Sequence, residues 1–410
     1  MKELWLFTMR YPFGVRESFL ENELPVLCRR FDRVVVFPQH PDGDQREMPS
    51  NAELRFSQTD AYGSATVLQM LRSAPLVIKL LSSLWKDAPS WAAFRSQWPA
   101  LRSRMAQLIH RAERLRVNVM QDYDPERVIV YAYWTHDWVT VLGLVRERLT
   151  DLRFISRAHG FDLYEEQNKD GWIPFRSFQL EHVSRIYCAS RTGRDHLRLV
   201  HPDRRELFVL SRLGTTDHGA GPFHPHGPLK VVSCSFLIPR KRVLRLIEAL
   251  ALVQRPVHWT HFGSGEEEGK VREALRDLPE HISVDLRGLT ANTEVIAWYR
   301  ANPVDVFVHL SHLEGGVAVA VQEATSFGIP VIAADSGGVR EIVDQRTGVL
   351  LGNDPTAQEV AALLEGFRES PMATIPFREG VRAAWRAEFE ANAVFDRFVD
   401  VLKGGDIKDD

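Results

Sequence analysis

Short apolar runs rich in β-branched and aromatic residues recur along the chain, separated by longer amphipathic stretches. This alternation limits the fold more than any other feature. In the first half the runs fall at 4–8, 33–37, 128–133, 153–156 and 185–189; in the second at 230–233, 258–262, 283–286, 304–310, 330–334 and 348–351. Strands alternating with helices form parallel sheets through right-handed crossovers, so doubly wound α/β layers are expected. At 410 residues the chain exceeds what one hydrophobic core organises, which makes two domains the expectation.

Fifty-one basic residues stand against 54 acidic ones, a formal charge of −3. That balance argues against wrapping of nucleic acid. Cys28, Cys188 and Cys234 lie far apart, without metal-ligand spacing, and read as reduced core thiols. The apolar run at 4–7 is too short for a signal-peptide core. Nowhere do about 18 apolar residues run together as a membrane span requires. The expected location is the cytoplasm, at most peripheral on the inner face of the plasma membrane.

Residues 215–228 are dense in Gly, Pro and polar side chains and include His218, His224 and His226. They read as the linker between the halves, because a Pro-interrupted segment holds no ligand geometry for a metal. From about 66 to 120 the pattern turns helical and basic. That stretch is either a helical insertion packed on its own domain or a helix lying on an acidic membrane surface. Residues 378–402 read as one or two long amphipathic helices.

The most informative segment is 304–343. A buried strand leads into the tight turn Glu314-Gly315-Gly316, then a helix stopped by Gly328, then a second strand and the glycine turn Ser336-Gly337-Gly338. Val317, Val319 and Val321 alternate with alanine at strand period. Helix is preferred because two parallel strands need a crossover between them. A strand, a glycine turn and a helix N-terminus gather free amides and a positive dipole into an anion site. Glu323, two turns into the helix, can accept hydrogen bonds from sugar hydroxyls such as those of a nucleotide ribose. Glu314, at the strand end, can do the same for a second sugar. A molecule with phosphates in the middle and a sugar at each end fits such a pocket.

These residues resemble glycosyltransferase family 4, the retaining enzymes of the GT-B fold. The likeness rests on Glu323-Ala324, Gly328-Ile329-Pro330-Val331-Ile332-Ala333 and Gly337-Gly338-Val339-Arg340-Glu341-Ile342. Eight residues separate Glu314 from Glu323, one more than the family pattern, and Ala318 replaces a frequent proline. The resemblance is nearest to bacterial exopolysaccharide enzymes of the colanic acid and amylovoran type. It implies two doubly wound Rossmann-like domains facing a central cleft: 1–217 on the acceptor side, with the insertion at 66–120; a linker at 218–228; 229–380 for the nucleotide-sugar; and C-terminal helices at 381–410 returning toward the first domain.

The resemblance also assigns residues. Lys241 matches the family lysine on the diphosphate, while Phe236 occupies the usual arginine position and leaves Arg240 or Arg242 to substitute. Gly263 and Gly265 fall in the turn near the base. Gly315, Gly316, Val317 and Ala318 supply donor-binding amides, joined by Glu323. The catalytic set is His159, Lys241, Glu314 and Glu323, with His159 on the donor sugar. Gly14, Arg16, Glu17 and Asp162 face the acceptor. The implied activity is retaining transfer from a nucleotide-diphosphate-sugar to a saccharide or polyprenyl-linked saccharide, with no metal and no cofactor. A nucleotide-sugar epimerase of the same fold and a non-catalytic nucleotide-sugar-binding module are the alternatives. Asp122-Tyr123-Asp124 spells a metal-binding Asp-x-Asp, but before Pro125 and without an acidic partner it reads as a solvated turn.

Overall fold

The computed structural model describes residues 2–14, 17–56, 63–168 and 171–404. It divides into two compact units, Met1–Ser211 with Asp396–Asp410 and Arg212–Phe395.

The first unit is built on a parallel sheet of β1 (Glu3–Thr8), β2 (Arg33–Pro38), β3 (Ala52–Leu54), β4 (Val128–Ala132), β5 (Phe154–Ala158), β6 (Arg185–Cys188) and β7 (Phe208–Leu210), in the order β3-β2-β1-β4-β5-β6-β7. Leu4 to Phe7 and Val34 to Phe37 are buried without a break. Continuous apolar runs of this kind suit strands covered on both faces. The covering helices are α1 (Leu20–Arg30), α2 (Val67–Arg72), α3 (Ala74–Asp87), α4 (Trp91–Asn118), α5 (Asp137–Arg146), α6 (Arg176–His182) and α7 (Arg191–Val200). The expected helical insertion is thus α2 to α4. Its inner face buries Leu80, Leu84, Leu101, Met105, Leu108 and Leu115.

The second unit repeats the plan. Its strands β8 (Leu229–Cys234), β9 (Val257–Phe262), β10 (Ile282–Leu286), β11 (Val306–His309), β12 (Val331–Ala334) and β13 (Gly348–Leu351) lie in the order β10-β9-β8-β11-β12-β13, all parallel. Between and after them run α8 (Val243–Leu250), α9 (Glu268–Ala274), α10 (Asn292–Ala301), α11 (Val319–Ser326), α12 (Ala357–Glu365) and α13 (Ile375–Phe389). In α8 the buried Val243, Leu246, Ile247 and Leu250 follow helical spacing, so one stripe faces the sheet. Each such leucine stabilises the unit by about 2–5 kcal/mol relative to alanine. The reversal of strand order falls between β8 and β11. In open α/β sheets that switch point, at the carboxyl ends of the strands, is where ligands bind.

The division between the units comes earlier than the expected linker, between Ser211 and Arg212. Residues 215–223 are strapped onto the second unit. Trp385 Nε1 donates to Thr215 Oγ1 at 2.9 Å, Asp217 pairs with Arg386 at 2.8 Å and also with Arg382, and the Arg378 guanidinium sits 4.6 Å from the Phe223 ring centre. A composition typical of a linker therefore marks a surface strap. The last helix, α14 (Ala391–Leu402), crosses from one unit into the other. Its far half belongs to the first unit, where Phe398 packs on Tyr131 and Tyr187 and covers the buried Arg157 guanidinium at 4.6 Å. No helix among the described residues is long and apolar enough to cross a membrane.

A candidate anion site at the switch point of the second unit

Two loops leave the sheet at the switch point. The first follows β8 and carries Lys241 at the end of a 3-10 turn, Pro239–Lys241. The second follows β11 and contains Glu314 and the two glycines. The Lys241 ammonium pairs with Glu314 Oε1, and His309 Nε2 lies 3.0 Å from the same oxygen. Burial pushes the Glu314 carboxyl up, but the adjacent ammonium and His309 outweigh it and hold the group well below the usual carboxylate range. Glu314 is therefore an anion already matched to a cation. Ser233, Cys234, Ser235, Lys241 and His309 line a small pocket here.

Beyond Glu314 the backbone is irregular until α11 begins at Val319, and its N-cap Ala318 makes no side-chain capping bond. Among the described residues, the N–H groups of Gly316, Val317, Ala318, Val319 and Ala320 donate to no protein group. Consecutive open amides at a helix N-terminus constitute an anion site, strengthened by the helix dipole. Val317 is buried in the core beneath them and its carbonyl accepts from Gln322 Nε2 at 3.0 Å, which fixes the turn.

The second glycine turn backs the first. A Cβ on Gly337, whose φ is +53°, would stand 1.8 Å from the Glu314 carbonyl oxygen; one on Gly338 would meet the Gly316 carbonyl carbon at 2.6 Å. Only glycine permits this contact. Gly263 and Gly265 play the same part beside the first loop, where a Cβ would fall 1.8 Å from the Ser235 oxygen and 2.3 Å from the Leu237 oxygen. Loop packing is what demands glycine at those two positions.

Glu323 is buried in the second turn of α11, and its Oε1 accepts from Asn292 Nδ2 at 2.7 Å. The Cys234 thiol is pushed up to about 12, first by burial and then by the Glu323 charge, with Lys241 opposing. Glu323 and Lys241 thus act on one neighbourhood at the end of β8. The Arg240 carbonyl accepts from His312 N–H at 3.1 Å, tying the two loops together, and Arg242 reaches the Asn353 carbonyl at 2.5 Å.

In the first unit His159 stacks on Tyr133 and Trp134, with centres 4.8 and 4.5 Å away, and neither ring nitrogen has a hydrogen-bond partner. Two expectations need correction. Asp162 is fully buried and accepts from the backbone N–H of Thr135, His159 and Gly160 at 2.8–3.0 Å, so it ties the loops after β4 and β5 instead of facing an acceptor. Glu17 accepts from the N–H of Met9, Arg10 and Tyr11 and from the Trp134 indole, so it ties its own loop to the one after β4. Gly14 has a φ of +65°, a conformation that favours glycine whatever lies nearby. Arg16 lies outside the described residues. Asp122 pairs with Arg55 at 2.6 Å and Asp124 accepts from Glu126 N–H at 2.9 Å, the bonds of a structural turn. Among the described residues no group of three His, Cys, Asp or Glu side chains can hold a metal ion.

His309 and Asn292 were not singled out from the sequence. A histidine inside an otherwise apolar strand run was a usable signal; Asn292 gave none, since its partner lies 31 positions away.

An open amide turn with a lysine, at the switch point of a doubly wound sheet, is an arrangement suited to a phosphate group. Residues 228–366, which lie within the second unit, match the family described as Glycosyl transferases group 1. Among curated proteins, the chain is 23% identical over 184 residues to the amylovoran biosynthesis glycosyltransferase AmsK of Erwinia amylovora, covering 43% of this chain and 45% of that protein. It is 30% identical over 189 residues to a GDP-mannose-dependent alpha-(1-6)-phosphatidylinositol monomannoside mannosyltransferase of Mycobacterium tuberculosis, covering 43% and 48%. These alignments span about half the length of the curated relatives. The fold is shared over nearly the whole chain with HepE of Anabaena, solved with UDP, at a TM-score of 0.68 and 18% identity, covering 98% of this chain and 100% of HepE. TarM gives a TM-score of 0.69 at 12% identity, covering 98% and 99%.

Proposed function

We propose that this chain transfers a sugar from a nucleotide-diphosphate-sugar to a saccharide or polyprenyl-linked saccharide in cell-surface polysaccharide synthesis, with retention of anomeric configuration and without a metal. The observation that carries the reading is the run of open amides at 316–320 beside Lys241, with Glu323 two turns along the same helix. The amides and the ammonium take the diphosphate, and Glu323 takes the ribose hydroxyls. In this reading Lys241 passes from Glu314 to the phosphate, and His309 keeps the vacated carboxylate in place.

The acceptor oxygen attacks the anomeric carbon as its bond to the phosphate oxygen breaks. The acceptor proton passes to the departing diphosphate on the same face. Fixed donors aimed at the charge growing on the leaving group supply the rate enhancement. In the first unit His159, whose Nδ1 lies 3.9 Å from Asp162 and whose Nε2 has no hydrogen-bond partner, is assigned to a hydroxyl of the donor sugar. The acceptor is assigned to the loops that follow β1 and β5, now without Glu17 and Asp162 as direct contacts. AmsK and the putative colanic acid glycosyltransferase WcaL of Escherichia coli support the polysaccharide assignment by their names.

The test is a transfer assay over a panel of nucleotide-sugars and acceptors, in EDTA, with product anomers assigned by NMR. Lys241→Ala and Glu323→Ala should each lower turnover by about 10²–10³-fold with an unchanged circular dichroism spectrum. Near wild-type turnover from both variants contradicts the assignment. Donor conversion that needs no acceptor points to an epimerase instead.

A further inference from the structure

The outer face of the helical insertion carries large apolar side chains, of which Ile78, Trp85 and Trp91 are exposed. In α4 none of residues 91–100 is buried; the first buried position is Leu101. About three turns of helix, ~15 Å, therefore project beyond the core of the first unit. They carry Trp91, Phe94 and Trp98, and α3 adds Trp85. Trp91 stacks on Phe94 at 5.5 Å, Phe94 on Trp98 at 5.4 Å, and Trp85 meets Trp91 at 5.7 Å. Trp85 and Trp91 remain 62% and 60% exposed, and Ile78, two turns before Trp85 on the same face of α3, is 65% exposed. Scattered apolar residues at a surface are ordinary, but a contiguous aromatic cluster marks an interaction site.

On the helices that carry the cluster, basic side chains outnumber acids. At 100° per residue, Arg95 and Arg102 fall within about 40° of Trp91 on the same stripe of α4. Arg95 and Arg102 are exposed and form no ion pair among the described residues. Lys79 and Lys86 are instead paired to the body of the unit through Glu147 and Glu181. Between residues 67 and 102 the only acid is Asp87. It is turned inward, accepting from Ser177 N–H and Ser83 Oγ, both at 3.0 Å.

We infer that the Trp85–Trp91–Phe94–Trp98 cluster, with Arg95 and Arg102 beside it, docks on the surface of an anionic lipid bilayer. Tryptophan favours the headgroup boundary, where its ring is apolar and its N–H is wetted. Guanidiniums at the same level meet lipid phosphates. A protein partner of this chemistry would have to supply carboxylates to two separate guanidiniums, whereas an anionic bilayer supplies charge everywhere. The assignment does not depend on the reaction proposed above.

The test is co-sedimentation of the full chain with vesicles of phosphatidylcholine alone and of phosphatidylcholine with 30–40% phosphatidylglycerol (roughly physiological negative charge), at low and at 0.5 M salt. Binding is expected to the anionic vesicles only and to fall in high salt. Trp85→Ser/Trp91→Ser should reduce it by at least about tenfold. Each of Arg95→Gln and Arg102→Gln should reduce it about fivefold. These side chains are exposed, so the variants should melt as the wild type does. No binding to anionic vesicles, or equal binding by the tryptophan variant, overturns the inference. Self-association of the wild type without lipid, lost in the tryptophan variant, overturns it in favour of a second copy of the chain.

Discussion

Removing the Lys241 ammonium offers a quantitative test of the site's electrostatics. Both side chains of the Lys241–Glu314 pair are 13% exposed, so the pair sits nearer the buried than the surface limit. Deleting one partner of a fully buried pair costs about 3–5 kcal/mol; an exposed pair is worth about 0.2–1 kcal/mol. His309 Nε2 remains 3.0 Å from the carboxylate and satisfies one oxygen, which trims the penalty. Lys241→Ala should therefore destabilise the second unit by about 2–3 kcal/mol. For a folding unit of about 150–250 residues that lowers its Tm by about 4–12 °C. Glu314→Gln keeps the shape and removes the charge. Once it is made, the lysine has less to lose, so the double variant should cost at least about 1 kcal/mol less than the sum of the singles. Scanning calorimetry of the four proteins at pH 7 gives the cycle. Additivity within about 0.5 kcal/mol would refute the coupling.

Two further outcomes follow from the same residues. The Glu314 carboxyl is depressed below its ordinary 4.5 in the folded state, so its contribution is complete above about pH 5 and lost as pH falls through the folded value. Urea titrations between pH 7 and 3 should show wild-type stability falling more steeply below pH 5 than that of Glu314→Gln; parallel curves would contradict this. Gly337→Ala places a methyl against the Glu314 carbonyl at a φ of +53°. It should cost at least about 2 kcal/mol and weaken nucleotide binding, whereas Gly352→Ala, with open space around it, should do neither.

Most of the fold was legible because parallel strands buried on both faces leave unbroken apolar runs. The run at 33–37 became Arg33–Pro38, and that at 128–133 became Val128–Ala132. The alternating valines at 317–321 illustrate where periodicity misleads. Val317 is buried from the turn itself and Val321 from the helix, so two elements produced one apparent strand pattern. The glycine turn and the helix that carries Glu323 could be read because their requirements are local. Glu17 and Asp162 could not, since a carboxylate in a loop after a strand reads alike whether it meets a ligand or its neighbours' amides. The deciding partners, Trp134 for Glu17 and Thr135 for Asp162, come from a different loop. The strap at 215–223 was misjudged for the same reason: Arg378, Arg382 and Trp385, which hold it, lie more than 150 positions away.

The most direct measurement is calorimetric titration of the full chain with UDP, GDP, ADP and dTDP in EDTA. At least one of these nucleotides should bind at a single site, and Lys241→Ala and Glu323→Ala should each weaken that binding by about tenfold or more, or about 1.4 kcal/mol. If no nucleoside diphosphate binds at millimolar concentration, or if both variants bind as the wild type does, the turn after Glu314 is not a diphosphate cradle.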